Sequence, residues 1–249
     1  MTKKKYKALI LDVDGTTIPN SRDGMPSKRV TDAIRNANQK LIVGLASGRP
    51  YEDLNHIAKH LELSGPLIVN GGARVVDSKG KTLWEKIINT HDVIEIKNIF
   101  FRYNTNCFIY DNGRDVIISK EYIPERALQI YSQGLDPEVA NQIIEKISTI
   151  KTVSVHTVHS WTRGRVDVMI NHTSATKQHG ILEFAKLLGL NTHEIIGVGD
   201  GNNDFPLLMA CGLKVAMGNA SDDLKAIADY VAPTVDEDGV ADVIEKFIL

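Results

Sequence analysis

Three short apolar runs near the start of the chain, Lys7 to Leu11, Leu41 to Leu45 and Pro66 to Val69, lack the polar alternation of a half-exposed strand. A strand that is oily on both sides must be covered on both sides, and a parallel sheet flanked by helices supplies that cover. The intervening segments read as helices: Ser27 to Gln39, with Ile34 inward, and Pro50 to Leu61, with Pro50 suited to a first turn. The alternation returns late in the chain. Val166 to Ile170, Ile195 to Val198 and Lys214 to Met217 read as strands, and Thr176 to Leu188, Asn203 to Cys211, Ser221 to Ala228 and Gly239 to Ile248 as helices. The expected fold class is therefore α/β: a doubly wound, Rossmann-like parallel sheet core with right-handed crossovers.

The middle of the chain breaks this pattern. Ala73 to Asp77 and Thr82 to Trp84 read as a hairpin, and Cys107 to Asp111 and Asp115 to Ser119 flank an Asn112-Gly113 turn as a second one. His91 to Tyr103 and the amphipathic Pro137 to Ile147 read as helices, and Val153 to His159 as a strand. The expectation is a core built from residues 1–81 and 165–249, with a smaller α+β domain inserted over residues 82–164.

Composition narrows the function classes. With 43% hydrophobic and 24% charged residues and a formal net charge of -2, the chain reads as an ordinary globular protein rather than a nucleic-acid binder, which would show a basic excess. Lys3-Lys4-Lys5 reads as a solvated terminus, since the apolar stretch behind it is too short for a signal peptide and meets Asp12. No run is long enough to cross a bilayer. Cys107 and Cys211 have no metal-type spacing and read as free thiols in a reducing compartment, which makes the cytoplasm the expected location. Monomer and homodimer both stay open.

Polar residues gather where the strands end, which is where ligands sit in open α/β sheets. Asp12 and Asp14 follow the first strand, Ser47-Gly48-Arg49 the second and Asn70-Gly71-Gly72 the third. Gly199-Asp200-Gly201-Asn202-Asn203-Asp204 follows the strand ending at Val198, and Lys177 opens a helix. Residues two apart in an extended chain point the same way, so Asp12 and Asp14 can face one centre. Their mutual repulsion calls for a cation or a shared proton. With Asp200 and Asp204 as further oxygen donors and no His or Cys cluster, Mg²⁺ suits the set better than zinc. Lys177, the Ser47 hydroxyl and backbone N–H groups at Gly15 could hold an anionic phosphate. Each piece also has a plainer reading. The Asp12-Val13-Asp14-Gly15 tetrapeptide could be a turn, Arg49 could pair across the core, and Arg163 and Arg165 read as solvated hairpin charges.

Together the motifs Asp12 to Thr16, Ser47 to Arg49, Lys177 and Gly199 to Asp204 resemble the four motifs of the haloacid dehalogenase superfamily. The likeness extends to its Cof-like phosphatase branch through Asn70-Gly71-Gly72 and the tail segments Val215 to Ala220, Ala228 to Val231 and Asp236 to Val240. That branch carries an α/β cap between motifs two and three, where the inserted block falls. The resemblance implies that Asp12 attacks phosphorus to form an aspartyl-phosphate and that Asp14 is the acid and base. It also implies Mg²⁺ held by Asp12, the Asp14 carbonyl and Asp200, with Asp204 in or behind that set. Gly15, Ser47, Gly48, Arg49, Lys177 and Asn203 would surround the phosphate. Ser47 stands where Thr is frequent and Gln178 where Gly is usual. The implied activity is Mg²⁺-dependent hydrolysis of a small phosphorylated metabolite, a sugar phosphate or a phosphoglycolate-like acid. A hexose-phosphate mutase and a non-catalytic phosphometabolite sensor stay as alternatives.

Overall fold

The structure, a computed structural model, describes residues 6–21 and 23–249. The Lys3-Lys4-Lys5 cluster lies outside the described residues. The chain divides into two compact units, one formed by Met1–Trp84 with Lys177–Leu249, the other by Glu85–Thr176. These limits differ from residues 82–164, most of all at the second crossing.

The first pass through the core unit runs β1 (Ala8–Leu11), α1 (Lys28–Asn38), β2 (Ile42–Leu45), α2 (Tyr51–His60) and β3 (Leu67–Val69). A 3-10 turn at Asn70–Gly72 follows, then β4 (Arg74–Val76) and β5 (Thr82–Glu85). α1 begins where the Ser27 hydroxyl accepts the Val30 N–H at 3.1 Å, and it buries Val30, Ala33, Ile34 and Ala37, the three-and-four spacing of one helix face. Pro50 stands just before α2 as its cap residue.

The inserted unit contains α3 (Thr90–Arg102), β6 (Phe108–Asp111), β7 (Arg114–Ile117), β8 (Ala127–Leu135), α4 (Pro137–Ile147), β9 (Val153–His159) and β10 (Val166–His172). Its five strands form one antiparallel sheet in the order β7-β6-β8-β10-β9. Ile96, Phe100, Ile143 and Ile147 of the helices share a buried cluster with Ile109, Ile130, Val168 and Ile170 of the strands.

Two features of this unit depart from the sequence reading. β10, expected in the core sheet, pairs residue for residue with β9 from Val166–His159 to His172–Val153. An apolar run shows that a strand is buried but not which sheet buries it. The central strand β8 was not foreseen at all. Its Gln129 and Ser132 are both buried, and these polar residues break the apolar run that marks the other buried strands. Arg163 and Arg165 do lie in the exposed β9–β10 connection, where Arg165 reaches Asp136 at 3.5 Å.

The chain then returns to the core through α5 (Lys177–Leu188), β11 (Ile195–Gly199), α6 (Phe205–Ala210), β12 (Leu213–Ala216), α7 (Asp222–Ile227), β13 (Tyr230–Val231) and α8 (Gly239–Phe247). The core sheet is parallel throughout, in the order β13-β12-β11-β1-β2. β3 touches it through a single parallel bridge, Ala46–Ile68, and otherwise pairs antiparallel with β4. Among the described residues, no helix is long and apolar enough to cross a membrane.

Candidate active site

From β1 the chain moves to β2 on one side, while β11 lies on the other, so the strand order reverses beside β1. Crevices form at such reversals, outside the carboxyl ends of the strands. Register aligns the ends. Leu11 stands level with Leu45 of β2 and Val198 of β11, so the residues that follow leave the sheet side by side. The Asp12 N–H still donates to the Val198 carbonyl at 2.9 Å. Residues separated by about 190 positions in the chain thus start from one rim.

Lys177 arrives from behind this rim. α5 buries Lys177, Gly180, Ile181, Phe184 and Ala185, a single face. A Cβ on Gly180 would lie 2.5 Å from the Ile68 side chain, so glycine there lets the first turn of the helix sit against the sheet. The Lys177 Nζ, inside the core, donates to Asp12 Oδ1 at 2.5 Å and to Asp204 Oδ1 at 2.6 Å. Asp204, fully buried, accepts the N–H groups of Asp200 and Gly201 on its Oδ2 at 3.0 and 2.9 Å. Both of its oxygens are engaged, and it fixes the loop that carries Asp200.

The loop after β1 is tied down at several points. The Thr17 hydroxyl donates to the Asp12 carbonyl at 2.5 Å, and the Thr16 hydroxyl to Asp200 Oδ1 at 2.7 Å. Gly15 has φ +85°, and a Cβ there would lie 2.4 Å from Asp200 Oδ2. Only glycine meets both demands. The Asn219 amide donates to the Gly15 carbonyl at 2.8 Å and to Asp200 Oδ2 at 3.3 Å, while its Oδ1 accepts the Val235 N–H at 2.9 Å. In the sequence, Asn219 stands out only as part of a tail motif. Its place just beyond the carboxyl end of β12 was the available signal.

Asp14 is partly open and faces Arg49. The guanidinium donates through Nε to Asp14 Oδ2 at 2.9 Å and through Nη2 to Oδ1 at 2.5 Å. Nη2 also reaches the Ser21 carbonyl at 3.1 Å. Ser47 is buried, its hydroxyl accepts the Arg49 N–H at 3.1 Å, and its carbonyl accepts the Gly71 N–H at 3.0 Å. The Asn70 N–H donates to the Arg49 carbonyl at 2.9 Å, so the Asn70–Gly72 turn braces the Ser47–Arg49 loop. Gly48 is half-buried between them. Asn203 lies in the 3-10 turn Asn202–Asp204, half-buried, with its Oδ1 over Gly201.

The electrostatics of this cluster are strained in one direction. Burial, then the charge of Asp204, pushes the Asp12 carboxyl well above its ordinary range, and Lys177 only partly offsets them. Burial and Asp204 likewise push Asp200 up to about 7, against the hydrogen bond from Thr16. Burial works against the charge on Lys177, but Asp12 and Asp204 outweigh it and hold the ammonium protonated. One cation is therefore short of balancing three carboxylates. Carboxylate oxygens of Asp12, Asp200 and Asp204 lie within 4.8 Å of one another, a spacing that a small divalent ion fits. All the donors are hard oxygens, so the set suits a hard cation such as Mg²⁺ better than zinc or copper.

The family model of haloacid dehalogenase-like hydrolases matches this chain over residues 9–155 and 116–244. Among curated proteins, the 5-amino-6-(5-phospho-D-ribitylamino)uracil phosphatase of Bacillus subtilis is 27% identical, covering 98% of this chain and 96% of its own. Phosphoglycolate phosphatase 1 of Saccharolobus solfataricus is 28% identical over 97% and 96% of the two chains. Among solved structures, a haloacid dehalogenase-like hydrolase from B. subtilis superposes with a TM-score of 0.85 at 20% identity, over 97% of this chain and all of the other.

Proposed function

Because the chain belongs to the haloacid dehalogenase-like hydrolases and is a phosphoric monoester hydrolase, we propose that it is a Mg²⁺-dependent phosphatase of small phosphorylated metabolites that works through an aspartyl-phosphate on Asp12. The single observation that carries this reading is the convergence of Asp12, Lys177, Asp200 and Asp204 at the carboxyl ends of β1 and β11.

In this reading Asp12 attacks phosphorus in line and the bond to the leaving oxygen breaks. Asp14 gives that oxygen a proton, then takes one from the water that cleaves the acyl phosphate and frees Asp12. Lys177 holds Asp12 in place and draws negative charge from the transferring phosphoryl group. The Ser47 hydroxyl and the backbone N–H groups near Gly15 contribute further donors. Mg²⁺, held by Asp12, Asp200 and the Asp14 carbonyl, would neutralise the charge that otherwise keeps an anionic nucleophile from an anionic phosphate. Asp204, with both oxygens occupied, supports Lys177 and the Asp200 loop from behind. Sugar phosphates and phosphoglycolate are the substrate classes to try first, since the relatives include a phosphoglycolate phosphatase and a phosphatase of a ribityl phosphate.

The test is a screen of phosphorylated metabolites for inorganic phosphate release, with and without Mg²⁺ and with Asp12→Asn as the blank. Metal-dependent release that vanishes in the variant is expected. Release that persists in Asp12→Asn rules out the covalent route, and an isomerised hexose phosphate without free phosphate replaces hydrolysis by mutase chemistry.

A further inference from the structure

We propose that Arg49 is the positioning residue of the acid–base carboxyl, Asp14, rather than a ligand of the substrate phosphate. The inference rests on the phosphatase reading and extends it to a residue that the motif alone would place on the phosphate. Five restraints fix the backbone around Asp14: the Asp12 N–H on β11, the Thr17 hydroxyl on the Asp12 carbonyl, the Thr16 hydroxyl on Asp200, the Gly15 N–H on the Ile18 carbonyl and Asn219 on the Gly15 carbonyl. The direction of the carboxyl is then left to the side-chain torsions of Asp14. Arg49 decides it through a two-pronged pair, with its own side chain about one-tenth exposed. The guanidinium is itself oriented by the Ser21 carbonyl, and its backbone by Ser47 and Asn70. A planar fork held at both ends defines an angle as well as a distance, which a lysine in its place does not.

The role has a signature. When the P–O bond breaks, its electron pair goes to the leaving oxygen, a proton carried by Asp14 follows it and leaves the carboxylate that Arg49 grips here, and the new bond is Asp12 to phosphorus. A basic leaving oxygen needs that proton; an acidic one departs without it. A residue that aims Asp14 must therefore matter more for poor leaving groups, whereas a phosphate ligand matters equally for all.

The experiment compares p-nitrophenyl phosphate with phenyl phosphate in the Mg²⁺-loaded full chain. Arg49→Gln is expected to lose at least about tenfold more kcat/KM on phenyl phosphate than on p-nitrophenyl phosphate, with Arg49→Lys recovering only part. A loss of kcat/KM that is the same for both esters assigns Arg49 to the phosphate and overturns the proposal. Asp14→Asn separates the two layers: if it shows no leaving-group dependence, the acid–base assignment of Asp14 fails first. A crystal structure of Arg49→Gln gives a readout independent of turnover. The Asp14 carboxyl should leave its present direction over an unchanged loop, and a carboxyl that stays in place refutes the positioning role.

Discussion

Buried charge is used differently in the two units. In the core unit ionised groups face one another: Lys177 lies between Asp12 and Asp204, and Arg49 grips Asp14. In the inserted unit they face neutral partners. The Lys97 ammonium donates to the carbonyls of Lys120 and Tyr122 at 2.6 and 3.0 Å. Asp111 accepts the Tyr122 hydroxyl at 2.7 Å and the N–H groups of Glu125 and Arg126. Both of these residues clamp one loop between β7 and β8, and each is satisfied without a second charge. The core's carboxylates are left with more negative charge than Lys177 can balance. Structure alone is served by the first arrangement poorly and by the second well, which is why the first marks a reaction centre.

The sharpest way to break this comparison is at the two buried lysines. Lys177→Met leaves two buried carboxylates without their cation and is expected to destabilise the core by about 3–5 kcal/mol and to abolish phosphate release. Lys97→Met removes two hydrogen bonds to backbone and is expected to cost about 1–3 kcal/mol. Denaturant unfolding of both variants measures the difference, and equal losses would erase the distinction between the units. Mg²⁺ should restore stability to Lys177→Met but not to Lys97→Met.

Asp12→Asn tests the same contrast from the acidic side. Turnover should fall by about a thousandfold or more, because the nucleophile is gone. Thermal stability of the metal-free protein should hold or rise, since the substitution removes one charge from an over-acidic cluster. A drop of several degrees in Tm would show that Asp12 stabilises the fold instead.

A third test uses pH. Asp200 titrates near 7 in the folded core, against an ordinary 3.8. Between those values the folded protein keeps a proton that the unfolded chain has lost, so this group's contribution to stability falls as pH rises from about 4 to about 7. Metal-free protein should melt at a lower temperature at pH 7.5 than at pH 5, and Mg²⁺ should shrink that gap by favouring the ionised form. A gap that Mg²⁺ leaves untouched would place the titrating group elsewhere.

The smallest effect is the most local. Cys211 in the core and Cys107 in the inserted unit are both buried, and burial pushes each thiol up to about 12. In variants that keep one cysteine each, alkylation in mild denaturant reports the opening of the unit that carries it. Mg²⁺ should slow labelling of Cys211 more than that of Cys107. Equal protection would mean that the two units open together.

How much of this was readable beforehand depended on where each residue lies. Asp12, Asp200 and Ser47 stood out because each follows an apolar strand within two residues, and parallel pairing in register brings such positions to one rim. Lys177 stood out as the start of a helix in the same series. Other features were hidden for physical reasons. Nothing in the order of residues says that Arg49 turns to Asp14, because side-chain torsions and the Ser21 carbonyl decide that. Asn219 touches Gly15 and Asp200 across the sheet, a contact that exists only once β12 lies beside β11. β10 looked like any buried strand until β9 claimed it.

By itself, then, the order of residues determined the parallel core, the existence of an insertion and the identity of the acidic and basic groups at the strand ends. These are local properties: hydrophobic period, turn chemistry and position relative to a strand. Tertiary structure alone decided which sheet each strand joins, which carboxylate pairs with which cation and where the net negative charge is left over. Those outcomes depend on distances of a few ångströms between distant parts of the chain, and electrostatic energy changes most steeply there.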